Sequence, residues 1–322
     1  MRVNLEQAIS KLKNGGVVAI PTETVYGLAA DATNENALLQ IYAIKKRPAN
    51  NPLIVHIADI SHVENWVTEF PPLACKLAEA FWPGPLTLVL PAKASVSNIV
   101  RAGEPTVALR VPSHPMALQL LKLSGLGLAA PSANKYTQLS PTTAAHVQAG
   151  LGDEIAVLDG GACEVGIEST IVSVLDNDWR LLRHGMITEA EIVALTGKPA
   201  LASQVNLPKA PGQHLLHYSP HTPLQLFSDR AQLIDACKTL TQQNLKCAAL
   251  LVGEGDLPNC KVIQFPTQPE QVAEQLYSAL HTLDDLKLNC LLVELPPNNP
   301  TWAAIYDRLS RAGHAKASHA KQ

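Results

Sequence analysis

The sequence places polar and charged residues directly after two predicted strands. The run VVAI at 17–20 predicts a buried strand, and Pro21 ends it because proline cannot donate to a strand ladder. The segment PTETVYGL at 21–28 follows at once, and a helix predicted over 34–47 leads to a second segment, NPLIVH at 51–56. Open α/β sheets bind ligands outside the carboxyl ends of their strands. The two segments therefore predict a ligand site at one end of an α/β sheet.

Strands alternate with helices along most of the chain, as expected for a sheet covered by helices. Further strands are predicted at 53–57, 86–90, 106–111, 127–130, 155–158, 169–175 and 179–183. Helices are predicted at 5–13, 72–81, 114–123, 141–149 and 188–197, with Ser140 as an N-cap candidate for the fourth of them. After 223 the alternation restarts with strands 224–227, 247–252, 261–265 and 290–295 and helices 230–241, 269–285 and 300–311.

Five prolines between 199 and 223 interrupt this alternation and indicate a linker. A chain of 322 residues is also long for a single core. We expect a first α/β domain at 1–200, a linker at 201–222, a second and smaller α/β domain at 223–315, and a tail at 316–322. The second domain carries no motif with obvious chemistry.

The net charge of −3 gives the whole molecule no general attraction for nucleic acid or an acidic membrane. Positive charge is nevertheless concentrated, because 36–58 contains three cations and no acid, and 92–152 contains five cations against Glu104 alone. If the fold joins these segments, they form a cationic pocket suited to a phosphate-bearing small molecule. The alternative for any single lysine is a solvated surface charge.

Several classes of site are disfavoured. No apolar run approaches the ~20 residues of a membrane span, and the amino terminus lacks a hydrophobic signal core, so we expect a cytoplasmic protein. The six cysteines form no Cys-x-x-Cys pair, which argues against a zinc knuckle and a disulfide framework and favours buried free thiols. P-loop, dinucleotide-binding and nucleophile-elbow motifs are lacking. Prolines 211, 220 and 223 argue against a helix that would align His214, His217 and His221 as metal ligands.

Individual residues leave two interpretations open. Thr22 and Thr24 can form an ordinary turn, although Gly27 would let a ligand approach the backbone closely. Arg110 ends a predicted strand and is placed to bind a carboxylate or phosphate. Ser140 is either a plain N-cap or part of an anion site at a helix N-terminus.

Eight motifs in order give the sequence a resemblance to the YrdC-like family, and the added linker and second domain resemble its long, two-domain threonylcarbamoyl-AMP synthases. They are PTETVYGL at 21–28, Lys45 and Arg47 leading to NPLIVH at 51–56, WPGPLTLVL at 82–90, VALRVP at 107–112, PSAN at 131–134, SPT at 140–142, ESTIV at 168–172 and LLRHG at 181–185. The resemblance implies a twisted mixed sheet with helices around a concave cationic cavity, followed by a smaller Rossmann-like domain.

The resemblance also implies an activity. Such enzymes join L-threonine, bicarbonate and ATP, with Mg²⁺ on the triphosphate, into threonylcarbamoyl-AMP and pyrophosphate. A downstream transferase then modifies the adenosine beside the anticodon of tRNA, so a weak contact with tRNA is possible. Two rival functions are an RNA-binding module and a carbamoyltransferase of the hydrogenase-maturation type. The second would require zinc fingers and a further catalytic domain.

The matching motifs assign residues to roles. Lys45 and Arg47 would be catalytic, near the phosphates. The residues around threonine would be Thr24, His56, Arg110, Ser132 and Ser169. The residues around ATP would be Arg47, Asn51, Thr106, Asn134, Ser140, Thr142, Arg183 and, on a linker that closes as a lid, Tyr218. The metal ligands are unknown.

Overall fold

The computed structural model describes residues 1–201, 208–212 and 218–313. These residues belong to two compact units: Met1–Tyr136 with Ser140–Gln213, and Thr137–Leu139 with His214–Gln322. Half of the predicted linker, including His217, and the whole predicted tail lie outside the described residues.

The first unit is built on a ten-stranded mixed sheet in the order β1-β8-β2-β3-β7-β4-β6-β5-β9-β10. Its strands are β1 Arg2–Val3, β2 Val18–Ile20, β3 Gly27–Asp31, β4 Ile54–His56, β5 Leu86–Pro91, β6 Thr106–Arg110, β7 Leu128–Ala129, β8 Val157–Leu158, β9 Thr170–Leu175 and β10 Asp178–Arg183. The neighbours β4 and β6 are parallel, with His56 in register with Arg110. Two charged or polar side chains thus stand side by side at the ends of central strands.

Helices pack on this sheet, and all of its α-helices except α3 begin at a residue whose side chain caps the helix. They are α1 Leu5–Lys13, α2 Glu35–Lys45, α3 Pro72–Phe81, α4 Asn98–Arg101, α5 Pro115–Ser124, α6 Ala144–Leu151 and α7 Glu189–Thr196, with a 3₁₀ helix at Ile60–Asn65. Asn4 and Thr188 open capping boxes, and Asn34 caps α2. Lys46 ends α2 in the left-handed conformation at φ 51°, which turns the chain sharply before Arg47.

One strand of the first unit was not predicted, and the start of one helix was predicted wrongly. Gly27–Asp31 is a buried strand antiparallel to β2. The helix predicted from 141 begins at Ala144 with Thr143 as its N-cap, because the Thr143 side chain accepts from the amide of His146. Ser140 is therefore not the cap of this helix.

The second unit has a four-stranded parallel sheet in the order β11-β14-β12-β13. Its strands are β11 Leu224–Phe227, β12 Cys247–Val252, β13 Lys261–Phe265 and β14 Cys290–Glu294, and its helices are α8 Arg230–Gln242, α9 Pro269–Asp284 and α10 Ala303–Gly313, with a 3₁₀ turn at Pro300–Trp302. Parallel neighbours require crossover connections, which the helices provide. The α/β pattern predicted after residue 223 is confirmed.

Within the described ranges, helices are too short or too polar for any one of them to cross a bilayer.

Candidate active site

The loop between β2 and β3 is a polar segment inside the protein. Thr22, Glu23 and Thr24 are each at most 3% exposed. The Thr22 hydroxyl donates to the carbonyl of Val25 at 2.6 Å and lies 2.8 Å from the Thr24 hydroxyl. The amides of Thr24 and Val25 donate to the Thr22 oxygen at 3.3 and 3.2 Å. The turn interpretation thus holds for Thr22, which fixes the loop and leaves Glu23 and Thr24 to contact other elements.

Arg110, the last residue of β6, holds this loop. Its Nη1 donates to the Thr24 hydroxyl at 2.9 Å, its Nη2 lies 2.6 Å from a carboxylate oxygen of Glu23, and its Nε donates to the carbonyl of Gly84 at 3.1 Å. Both side chains of the ion pair are 4% exposed. The guanidinium is therefore fixed in position at the carboxyl end of the strand.

Burial and this ion pair set the charge states nearby. Burial opposes ionisation of Glu23, but the adjacent Arg110 outweighs it, so the pKa of Glu23 lies below its ordinary value. Burial, together with the charge of Arg110, lowers the pKa of His56 to about 3. His56 thus presents a neutral imidazole beside a charged guanidinium at neutral pH.

Lys45 lies at the end of α2 and is 1% exposed. Its ammonium donates to the carbonyls of Ser132 and Asn134 at 2.5 and 2.6 Å. Burial and the nearby Arg47 place the pKa of Lys45 well below its ordinary value, while Glu168 acts in the opposite direction. Arg47, which is also buried, donates to the carbonyl of Pro52 at 3.0 Å. The two cations therefore lie against the PSAN loop and the start of NPLIVH.

Backbone hydrogen bonds tie three polar loops together. The Tyr26 amide donates to the carbonyl of Pro141 at 2.9 Å, the Ala133 amide donates to the carbonyl of Tyr26 at 2.7 Å, and the Leu28 amide donates to the carbonyl of Pro131 at 2.7 Å. A Cβ on Gly27 would lie 3.0 Å from the Cβ of Ala130. Gly27 therefore allows the close approach of another loop.

Ser169 and Arg183 form a second polar group at the amino end of β9. The Ser169 hydroxyl accepts from Nη2 of Arg183 at 3.0 Å and lies 2.8 Å from the Thr87 hydroxyl. Arg183 also donates to the carbonyls of Ser169 and Pro211 at 3.0 and 3.2 Å. The described linker residues 208–212 thus contact a predicted site residue directly.

Alternate residues of the neighbouring strands β4 and β6 lie on one face of the sheet. His56 is in register with Arg110, and Ile54 with Ala108. Because residues two apart on a strand share a face, Thr106 lies on this face as well, about 13 Å from Arg110 along β6. The middle of the face is apolar and is covered by Ala210, within a buried cluster of Ile54, Val89, Ala108, Ile171 and Leu182. The face is therefore polar at its two ends and apolar and closely packed between them.

The buried charges of the first unit favour an anionic ligand. Its buried cations are Lys45, Arg47, Arg110 and Arg183, and its buried carboxylates are Glu23 and Glu168. Positive charge in a low-dielectric site is stabilised by an anion.

The structure places all but one of the predicted site residues in the first unit. Those buried there are Thr24, Lys45, Arg47, Asn51, His56, Thr106, Arg110, Asn134, Ser140, Thr142, Ser169 and Arg183, and Ser132 is partly exposed. The exception is Tyr218, which is buried in the second unit. Its ring lies 5.9 Å from that of Tyr277, and the guanidinium of Arg308 lies 5.0 Å from its centre.

Sequence reasoning missed three partners of these residues. Glu23 pairs with Arg110, Glu168 accepts from the Ser140 hydroxyl at 2.5 Å, and Thr87 contacts Ser169. Both acids lie within the PTETVYGL and ESTIV motifs. The position of each acid next to an apolar strand could have indicated these partners, because a buried carboxylate needs a cationic or hydroxyl partner.

Comparison with known proteins gives consistent results. The profile of the Sua5, YciO and YrdC family, described as "Telomere recombination", matches residues 10–185, and that of the threonylcarbamoyl-AMP synthase C-terminal domain matches residues 187–313. Threonylcarbamoyl-AMP synthase of Bacillus subtilis is 41% identical over 319 residues, which are 96% of this chain and 92% of the relative. That of Vibrio vulnificus is 38% identical over 185 residues, which are 56% of this chain and 98% of the relative.

A solved structure agrees over both units. Sua5 of Pyrococcus abyssi, crystallised with L-threonine, superposes with a TM-score of 0.90 at 34% identity and covers 98% of each chain. The profiles, the full-length relative and this superposition together establish that the chain belongs to the two-domain, long-form Sua5 branch of the threonylcarbamoyl-AMP synthase family.

Proposed function

We propose that this protein is a nucleotidyltransferase that makes threonylcarbamoyl-AMP and pyrophosphate from L-threonine, bicarbonate and ATP. The observation that carries the proposal is the set of buried cations in the first unit, Lys45, Arg47, Arg110 and Arg183, with Arg110 fixed among polar groups at the end of β6. Membership of the synthase family supports an enzyme that uses ATP and forms an AMP-linked product.

The threonine subsite is proposed around Arg110. Three of its N–H groups face Thr24, Glu23 and a backbone carbonyl, so the guanidinium is fixed while two N–H groups remain for a carboxylate. Ser169, Ser132 and the neutral imidazole of His56 supply hydroxyl and ring groups that can bind the amine and side-chain hydroxyl. The relative from Pyrococcus abyssi is described with L-threonine bound.

The nucleotide subsite is proposed among the buried polar residues at the strand ends and loops of the first unit. Its residues are Arg47, Asn51, Thr106, Asn134, Ser140, Thr142 and Arg183. Tyr218 remains a predicted nucleotide contact through closure of the linker.

The reaction needs no protein nucleophile. The amine of threonine and bicarbonate form a carbamate with loss of water, and a carbamate oxygen attacks the α-phosphorus of ATP. The bond from that phosphorus to the oxygen bridging the β-phosphate breaks, and pyrophosphate leaves. What the protein contributes is positioning of the two reactants and stabilisation of the charge that develops on the α-phosphate.

Lys45 and Arg47 are the proposed catalytic cations. Two N–H groups of the Lys45 ammonium are held by the carbonyls of Ser132 and Asn134, which fixes the amine and leaves the third for a phosphate oxygen. A phosphate beside Lys45 would favour its charged form and reverse part of the effect of burial on its pKa.

Mg²⁺ is proposed to arrive with ATP. The two buried carboxylates of the first unit are already engaged, Glu23 with Arg110 and Glu168 with Ser140. The residues therefore fit an ion held mainly by phosphate oxygens and water, which is common for Mg²⁺ at nucleotide sites. When bound, the ion would neutralise charge on the triphosphate.

The product is a labile mixed anhydride and must be consumed by a group transfer. We propose that a downstream transferase moves the threonylcarbamoyl group onto the adenosine beside the anticodon of tRNA, with the synthase contacting tRNA weakly if at all. This step would take place in the cytoplasm.

Isotope labelling tests the proposal. The full-length protein is incubated with threonine, ATP and ¹³C-bicarbonate, and the nucleotide products are separated and weighed by mass spectrometry. We expect a threonine-containing adenylate that carries the label in its carbamoyl carbon. The variant Arg101→Ala serves as a control, because Arg101 is a cation that donates hydrogen bonds only within its own loop region, and this variant should form the product normally. An unlabelled aminoacyl-adenylate, or no adenylate at all, would contradict the proposal.

A further inference from the structure

Three cysteines of the second unit lie together although the sequence separates them widely. Cys237 is on α8, Cys247 begins β12, and Cys260 immediately precedes β13. The Cys247 sulfur is 3.8 Å from each of the other two, and all three sulfurs lie within 4.8 Å of one another. Cys237 and Cys247 are buried, and Cys260 is half-buried. This triangle will be called the thiol cluster.

The size of the thiol cluster matches a metal coordination sphere. Zinc–sulfur bonds are about 2.3 Å long, so two sulfurs of a tetrahedral site are about 3.8 Å apart and those of a trigonal site about 4.0 Å. The two measured edges have the first of these lengths. A single cation at the centre would reach the three sulfurs after small rotations of the side chains. A disulfide, in contrast, would join only two of them and would require an approach to about 2.0 Å.

One member of the thiol cluster, Cys237, borders a cavity. A cavity of 250 Å³ is lined by Cys237 together with Lys238, Thr241, Leu257, Asn259 and three further residues. It provides an entry path for an ion and room for a water or another fourth ligand. The Thr241 hydroxyl donates to the backbone carbonyl of Cys237 at 2.8 Å and thereby helps to fix the position of this cysteine.

We propose that Cys237, Cys247 and Cys260 form a three-thiolate site for one thiophilic divalent cation such as Zn²⁺. On binding, three S–H bonds lose their protons to the buffer and three metal–sulfur bonds form, with no change in oxidation state. The ion joins a helix to two neighbouring strands and thereby stabilises the second unit. The absence of a Cys-x-x-Cys pair argued against a zinc knuckle, and it does not exclude this site because the parallel sheet, rather than a short loop, brings the ligands together.

Cadmium titration tests the proposal, because Cd²⁺ bound to thiolates absorbs in the ultraviolet through sulfur-to-metal charge transfer. The reduced, metal-free, full-length protein is titrated with Cd²⁺, and then Zn²⁺ is added in competition. We expect one equivalent to saturate the band, three protons to be released into a weakly buffered solution, and Zn²⁺ to abolish the band. Zn²⁺ should also raise the melting temperature.

Two variants make the result specific. Cys260→Ser alters the half-buried member, where a serine is tolerated without a buried cavity, and should lose the saturable band and the Zn²⁺-dependent stabilisation. Cys75→Ser is the matched control, since Cys75 lies in the first unit with its thiol directed at Glu79, and it should behave as the wild type. An unchanged band in Cys260→Ser, or no saturable band in the wild type, would overturn the proposal.

Discussion

The ion pair between Glu23 and Arg110 should dominate the stability of the predicted threonine subsite. At 2.6 Å, Coulomb's law with an effective dielectric constant near 20 gives an attraction of about 6 kcal/mol. Desolvation of two side chains that are 4% exposed offsets much of this attraction, but removing one partner leaves the other charged and buried. Breaking a buried pair in this way costs about 3–5 kcal/mol.

We therefore expect Arg110→Met to lose about 3–5 kcal/mol of unfolding free energy. Glu23→Gln with Arg110→Met should be more stable than Arg110→Met alone, because the second change removes the orphaned carboxylate. Urea unfolding of the wild type, both single variants and the double variant gives the four free energies of a double-mutant cycle, from which the interaction between the two side chains is obtained. Asp178→Asn serves as the control, since its pair with Lys198 is exposed and 3.5 Å long, and should change stability by less than about 1 kcal/mol.

The unfolding free energies of the wild type and of Arg110→Met should depend on pH in opposite directions. In the wild type the pKa of Glu23 is lowered, so its contribution is present above the ordinary value of 4.5 and is lost as the pH falls through the folded value. Without Arg110, burial alone raises the pKa, and the variant should instead lose stability as the pH rises through 4.5 and above. The ion pair would not stabilise the fold as expected if the losses of unfolding free energy in the two single variants added up to the loss in the double variant. The same conclusion would follow if Arg110→Met showed the pH trend of the wild type.

Three further predictions follow from the same geometry. Arg183→Ala should raise the KM for ATP more than the KM for threonine, because ATP loses a charge-assisted hydrogen bond that contributes about 1.5–3 kcal/mol to its binding free energy. Steady-state kinetics with the opposite preference would mean that the two subsites are exchanged. The unfolding free energy should fall less steeply between pH 6.5 and 3 in His56→Gln than in the wild type. With a folded pKa of about 3, His56 takes up a proton in this range only when the protein unfolds, and this uptake lowers the unfolding free energy by at most about 5 kcal/mol. Equal slopes for the two proteins in acid titrations would contradict this prediction. Ala210→Asp should place a carboxylate in the apolar cluster and lower the yield of adenylate measured by chromatography, whereas Lys209→Ala, whose side chain is 58% exposed, should not; equal yields would show that residues 208–212 do not serve catalysis.

Much of the fold could be predicted because its signals are local. The strand at 17–20 is a run of branched apolar residues ended by proline, and α2 is bounded by Asn34 and by a left-handed turn at Lys46. The second unit shows the same alternation of apolar strands and amphipathic helices. In each case a few neighbouring residues determine the conformation.

The errors arose where distant parts of the chain decide. Gly27–Asp31 is a strand because β2 and β7 pair with it from both sides. Ser140 loses the capping role to Thr143, since its hydroxyl donates to Glu168, 28 residues away. Sequence periodicity contains no information about such long-range partners.

Pyrophosphate release distinguishes a threonylcarbamoyl-AMP synthase from a simple ATP hydrolase. Solutions are first freed of carbon dioxide, the full-length protein is given ATP and Mg²⁺ with threonine alone, bicarbonate alone, both, or neither, and pyrophosphate is measured in each mixture. We expect rapid release only when threonine and bicarbonate are both present, because only the carbamate can attack the α-phosphate. Equal release without threonine would identify a generic ATP hydrolase and rule out a carbamate nucleophile.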